Sequence, residues 1–91
     1  MLGLITFLIA GTLATAIVIY IAYLTVERLR SEIKGRISDA TEASINELLQ
    51  SGKIKVVYLD AISAGGHVQK VKIEADSVSS EITRGATYHL R

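Results

Sequence analysis

The stretch that decides the interpretation of the sequence is residues 1–26, MLGLITFLIAGTLATAIVIYIAYLTV, which contains no charged side chain. As an α-helix rising 1.5 Å per residue it would be about 39 Å long, against a hydrocarbon core of about 30 Å in a bilayer. Tyr20 and Tyr23 lie near its charged end, where interfacial aromatic residues are common. Residues 1–26 therefore predict a single transmembrane helix.

Two other interpretations of residues 1–26 compete with this one. A buried helix of a globular domain would have to be covered by the roughly 65 remaining residues, which are too few to bury it. A cleaved signal peptide would use Ala14-Thr15-Ala16 as its cleavage site, but no basic segment precedes the apolar run. The membrane anchor is the strongest of the three interpretations.

Small residues recur within the predicted span with a spacing of four. This small-xxx-small pattern allows two helix backbones to approach closely in lipid. It predicts a helix–helix packing site formed by Ala10, Gly11, Ala14 and Thr15.

Four basic side chains follow the apolar run, namely Arg28, Arg30, Lys34 and Arg36. A basic collar after a span is attracted to an anionic membrane surface and disfavours translocation of that end. The pattern predicts a single-pass membrane protein with a cytoplasmic C-terminal domain, unless the chain is exported in a filament or packaged in a virion.

The helical periodicity continues over residues 27–51 and predicts an amphipathic stalk that ends before Gly52. Gly35 could bend this helix, and Asp39 with Glu42 could form a capping box that restarts it. The apolar stripe of the stalk predicts an interface with a neighbouring element or copy, formed by Leu29, Ile33, Ile37 and Leu48.

Residues 53–91 change to the two-residue period of β-strands. Residues 54–62 are apolar on both faces and predict a central strand, and Ala64-Gly65-Gly66 predicts a turn into a second strand over residues 68–75. A turn at Asp76-Ser77 and further short strands complete an antiparallel meander of three or four strands. The expected fold class is an α+β membrane protein with a long N-terminal helix and a small β-domain.

The composition provides few groups for chemistry. The net charge is +1, there is no Cys, and the only histidines are His67 and His89, which lack the spacing of a metal pair. We therefore expect no catalytic residue, cofactor, metal, small-molecule substrate or nucleic acid. The expected partners are a lipid bilayer and other subunits, in a homo-oligomer or a larger membrane assembly.

These features predict a non-catalytic, membrane-anchored structural subunit of a multi-copy complex, such as a lipid-containing virus particle. One alternative is a filament subunit, because an apolar helix, an amphipathic continuation and a small antiparallel sheet resemble the layout of type IV pilins. The resemblance covers layout alone, since no Glu lies near the start of the apolar stretch. Another alternative is an accessory or regulatory subunit of a membrane enzyme or transporter.

Overall fold

A computed structural model describes residues 16–90 as one mixed β-sheet with a single helix. The strand order is β1-β4-β3-β2-β5, in which β1 is parallel to β4 and every other neighbouring pair is antiparallel. The elements are β1 (Ile17–Leu24), α1 (Val26–Arg36), β2 (Ala40–Ser51), β3 (Ile54–Ser63), β4 (Val68–Val78) and β5 (Thr87–His89).

The predicted fold class is wrong. The chain does not continue as one helix to residue 51, because α1 has only 11 residues and is flanked by the strands β1 and β2. The sheet is a five-stranded mixed sheet instead of a meander of three or four antiparallel strands. The layout that resembled type IV pilins is therefore absent from the described part of the chain.

The predicted single-pass membrane location is also wrong. Among residues 16–90, no helix has the length and apolar character needed to cross a membrane. The last part of the predicted span, Ile17–Leu24, is a strand that pairs with β4. The first fifteen residues of that span lie outside the described residues, as does the predicted packing site of Ala10, Gly11, Ala14 and Thr15.

Strand β1 has a sequence rich in β-branched and aromatic residues, IVIYIAYL, which suits a pleated strand. Its side chains alternate between the two faces of the sheet: Ile19 and Ile21 are 3% and 2% exposed, whereas Val18 and Tyr20 are 61% and 58% exposed. Strand β1 therefore has one buried face and one exposed face, as expected for a sheet covered on one side.

Helix α1 begins at a side-chain cap. The hydroxyl of Thr25 accepts a hydrogen bond from the backbone N–H of Arg28 at 3.0 Å, which satisfies one of the free donors of the first turn. Leu29 and Ile33 are fully buried. The helix ends where the N–H of Ile37 donates to the carbonyl of Ile33. Its apolar side thus covers the sheet.

Strand β2 contains two irregularities, which lie between Ala40 and Glu42 and between Ile45 and Glu47. Each inserts one residue that has no direct partner on β3, so the alternation of faces shifts at that point. Ala40, Ala43 and Ile45 are buried as a result.

Two hairpins connect the central strands. Gly52 has a φ of 63° and occupies the first central position of the β2–β3 turn, where a type II′ turn requires glycine. The predicted hairpin between residues 54–62 and 68–75 is confirmed, with β3 as the middle strand. The predicted turn at Asp76-Ser77 is wrong, because β4 continues to Val78 and leaves no separate strand over residues 78–82.

We call the covered side of the sheet the closed face. It is covered by α1 and by the segment between β4 and β5, whose Ile82 is 2% exposed. This segment starts beside β1, where the N–H of Ser79 donates to the carbonyl of Leu24. It crosses the closed face and reaches β2 at Gly85, whose N–H donates to the carbonyl of Ile45. The core consists of the closed-face side chains of β1 to β4 together with Leu29, Ile33, Ile82 and Leu90.

The two glycines Gly35 and Gly52 should respond oppositely to substitution by alanine. At Gly35, within α1, a Cβ would meet nothing within 4 Å, so Gly35→Ala should raise the free energy of unfolding by about 0.5–1 kcal/mol through helix propensity. Gly52→Ala should lower it by about 1–2 kcal/mol, because its positive φ is strained for an L-residue. Urea unfolding followed by circular dichroism measures both changes, and changes of the same sign would contradict this assignment.

Candidate functional site on the open face of the sheet

The side of the sheet opposite α1 is the candidate functional site, and we call it the open face. Helix α1 and the segment after β4 both pack on the other side, so no described element covers it. Several of its apolar side chains are exposed: Val18 is 61% exposed, Tyr20 58%, Leu49 48% and Tyr58 39%. The open face comprises Val18, Tyr20, Glu47, Leu49, Ile54, Val56, Tyr58, Asp60, Lys70, Lys72, Glu74 and Asp76.

The strand register arranges eight of these side chains in two adjacent rows that cross four strands. From β1 to β2, the first row consists of Tyr20, Glu74, Val56 and Leu49. The second row consists of Val18, Lys72, Tyr58 and Glu47. Each row therefore has a charged side chain on β4 with apolar side chains on both neighbouring strands.

A shallow concavity of about 410 Å³ lies at the β2–β3 end of these rows. Apolar or aromatic side chains form half of its lining, and polar or charged side chains form the other half. It is lined by Leu49, Gln50, Ser51, Ile54, Val56, Tyr58, Lys72 and Glu74. This open, mixed surface suits the side chains of another protein.

Strand β4 carries an ordered series of charges on the open face. Lys70 and Lys72 lie in its first half, and Glu74 and Asp76 lie in its second half. Lys70 forms an ion pair with Asp60 on β3 at 2.9 Å, and Lys72 contacts Glu74 at 3.5 Å. The strand is therefore positive at one end and negative at the other, and the four β4 charges sum to zero.

A hydrogen bond joins β1 to the negative end of β4. The phenol of Tyr20 donates to the carboxylate of Asp76 at 2.5 Å. This hydrogen bond raises the pKa of Tyr20 above its usual value, because ionisation would remove the donated proton and place a second negative charge beside Asp76. The hydrogen bond therefore holds the Tyr20 side chain beside β4 on the open face.

The predicted basic collar lies on α1, and each of its four side chains contacts the protein itself. Arg28 and Arg36 both form ion pairs with Glu32, and these contacts lower the pKa of Glu32 below its usual value, the pair with Arg36 having the larger effect. Arg30 donates to the carbonyl of His89 at 3.1 Å, and Lys34 donates to the carbonyls of Ser38 and Ala40. The contacts of Arg30 and Lys34 tie α1 to β5 and to the start of β2, whereas those of Arg28 and Arg36 lie within the helix.

The predicted stalk interface is divided between two elements. Leu29 and Ile33 lie on α1 and are fully buried in the core, and Ile37 packs against the core just after the helix. Leu48 also packs against the core, but it lies on β2. All four side chains therefore pack in or against the core of this chain, between α1 and the closed face of the sheet.

The two histidines lie apart. His67 lies in the β3–β4 turn, and His89 is on β5 with its Nδ1 3.9 Å from a carboxylate oxygen of Glu42. Within residues 16–90, no three His, Cys, Asp or Glu side chains are grouped so that they could hold a metal ion. Neither histidine contributes to the open face around β4.

No family model, curated protein or solved structure matches this chain. We therefore infer its function from the geometry of residues 16–90.

The open face cannot be recognised as a site from the sequence alone. The signal is present as alternation: Val18 with Tyr20, Val56 with Tyr58, and Lys72 with Glu74 are each two residues apart. Two-residue spacing places each pair on one face of a strand. Since the strand order cannot be read from this spacing, the three pairs could not be joined into one surface without the fold.

Proposed function

We propose that this chain is a non-catalytic assembly subunit that packs its open face against another protein subunit. The observation that carries the proposal is the set of exposed apolar side chains on β1, β2 and β3, including two tyrosines, which lie on both sides of the charged strand β4. Exposed apolar patches surrounded by polar residues are typical of protein–protein contacts, and tyrosine is enriched at the centres of such contacts.

The size of the domain supports the same proposal. Within residues 16–90 the sheet is covered on one side only, and a domain of this size buries a smaller share of its surface than a large domain and gains little stability from its core. A subunit packed on the open face would bury Val18, Tyr20 and Tyr58 as well, and binding to the folded state adds directly to stability.

Site-specific photocrosslinking tests this proposal, with a matched control on the same strand. Benzoylphenylalanine replaces Tyr20 or Tyr58 on the open face, or Tyr23, which is 56% exposed but lies beside Thr25 and Arg28 at the start of α1. The variants are expressed in the organism that produces the chain and irradiated. We expect one discrete adduct from positions 20 and 58 and at least about fivefold less from position 23, because only the first two side chains would lie in the contact.

The mass of the adduct identifies the kind of subunit. An adduct of twice the chain mass indicates self-assembly, and a larger discrete adduct indicates an accessory subunit bound to a different protein. Either result supports the proposal. Equal crosslinking from all three positions, or no discrete adduct from positions 20 and 58, contradicts it.

A further inference from the structure

The charges on β4 identify a partner for the open face. We infer that the open face binds the open face of a second copy of this chain, related by a two-fold axis that sets the two β4 strands antiparallel. This inference rests on the proposed function, since it names the subunit that the open face would contact. The two sheets would then form a β-sandwich across the interface.

The order of charges along β4 determines this orientation. In an antiparallel arrangement, Lys72 of each copy faces Glu74 of the other, and Lys70 faces Asp76. A parallel arrangement would instead set lysine against lysine and carboxylate against carboxylate, which costs free energy at an interface. Sheets that pack face to face lie about 10 Å apart, a distance that the long Lys and Glu side chains can span together.

The apolar side chains of the two rows on β1 and β3 follow the same symmetry, whereas on β2 Leu49 lies over Glu47 of the second copy. A two-fold axis that lies between the sheets, perpendicular to β4 and between Lys72 and Glu74, exchanges the two rows of the open face. Tyr20 then lies over Val18 of the second copy, and Val56 lies over Tyr58. Because one self-complementary surface serves both copies, the contact has the isologous form of most homodimers.

The area of the open face is sufficient for a weak dimer. Four strands about 4.8 Å apart and about eight residues long present roughly 500 Å² per copy. Two copies would bury about 1,000 Å², which is close to the minimum for a specific interface and below the usual range of stable ones. The dimer should therefore dissociate on dilution.

Strand β1 offers a second surface through which two copies of the chain could associate. Strand β1 forms one edge of the sheet and has no charge and no proline, the usual protections against strand pairing. Pairing of two β1 edges would leave both open faces exposed, including Tyr20 and Tyr58. It would also keep the β4 strands of the two copies more than one strand apart, so charge changes on β4 would have little effect on it.

Charge reversal on the full chain tests the two-fold dimer. Lys72→Glu and Glu74→Lys each create two like-charge pairs in the dimer, and we expect each to weaken dimerisation about tenfold or more in sedimentation equilibrium. Glu81→Lys makes the same charge change at an exposed position between β4 and β5 and should leave the dimer unchanged within about twofold. All variants retain residues 1–15, so any association through those residues is common to them.

Mixing the variants provides the decisive measurement. A mixture of Lys72→Glu with Glu74→Lys restores both opposite-charge pairs, so it should form a heterodimer with about the affinity of the unmodified dimer. The double variant K72E/E74K should form a homodimer again for the same reason. Thermal unfolding of each variant followed by circular dichroism confirms that it is folded.

Three results would overturn the two-fold dimer. They are a monomeric unmodified chain at millimolar concentration, a dimer that neither reversal weakens, or variants that remain weak after mixing. If photocrosslinking in cells nonetheless gives a larger discrete adduct from positions 20 and 58, the assembly function stands and the partner is a different protein.

Discussion

Substituting Leu29 by alanine should strongly destabilise the fold. Leu29 is fully buried between the helix and the closed face of the sheet. Removing its isobutyl group loses apolar burial and leaves a cavity, a combination that costs about 2–5 kcal/mol in protein cores. Small domains have free energies of unfolding at or below about 5 kcal/mol, so Leu29→Ala should leave a large fraction of the chain unfolded at 37 °C.

Leu49 provides the matched control for this substitution. It is the same residue type on the open face and is 48% exposed, so Leu49→Ala should change the free energy of unfolding by about 0.5 kcal/mol or less at protein concentrations where the chain is monomeric. Urea unfolding followed by circular dichroism gives both values. Equal effects at the two positions would show that α1 does not cover the sheet.

The β3–β4 hairpin could be predicted from the sequence because all of its signals are local. The apolar residues around Val57, the alternation from Val68 to Ala75 and the glycines of the turn between them lie within about 25 consecutive residues. The register that the structure gives to this hairpin follows directly from that alternation.

Strand β2 was predicted as a helix for an identifiable physical reason. Its two bulges each add one residue, so its inward-facing side chains at Ala40, Ala43, Ile45 and Leu48 are spaced by three, two and three. Spacings of three resemble the periodicity of a helix, whereas a regular strand would show spacings of two. Nothing in the local sequence distinguishes a bulged strand from a short amphipathic helix.

The strand β1 is hidden in the sequence by the long uncharged run around it. Residues 1–26 contain no charge and so predict one continuous helix, although Ile17–Leu24 is rich in β-branched and aromatic residues and Thr25 is a good helix cap. Uninterrupted apolar character outweighed these local signals. Strand β1 lies at an edge of the sheet and yet has no charge, so no charged residue marks where the strand begins.

The candidate site could not be predicted because it depends on strand order. The open face joins side chains from β1, β4, β3 and β2, an order in which β1 lies beside the last of the long strands. Only this order places Tyr20 next to Glu74 and Asp76. The sequence shows that charged residues alternate along β4, but it does not show that β4 lies between β1 and β3 in one surface.

The assignment of β1 as a strand gives the second large prediction. Ile21 is 2% exposed on the closed face, so Ile21→Asn would replace a buried butyl group with an amide that has no partner there. The loss of apolar burial costs about 1.5–3 kcal/mol and the unsatisfied amide about 1–3 kcal/mol. The sum is comparable to the whole stability of a domain of this size, so we expect Ile21→Asn to unfold the chain.

The neighbouring residue makes this prediction specific to a strand. Ala22 is exposed, since successive side chains of a strand point to opposite faces, and Ala22→Asn should change the free energy of unfolding by about 0.5 kcal/mol or less. Thermal unfolding and amide NMR spectra distinguish a folded variant from an unfolded one. If both variants fold with the stability of the unmodified chain, or if both unfold, the alternation that defines β1 is incorrect, and so is the position of Tyr20 on the open face.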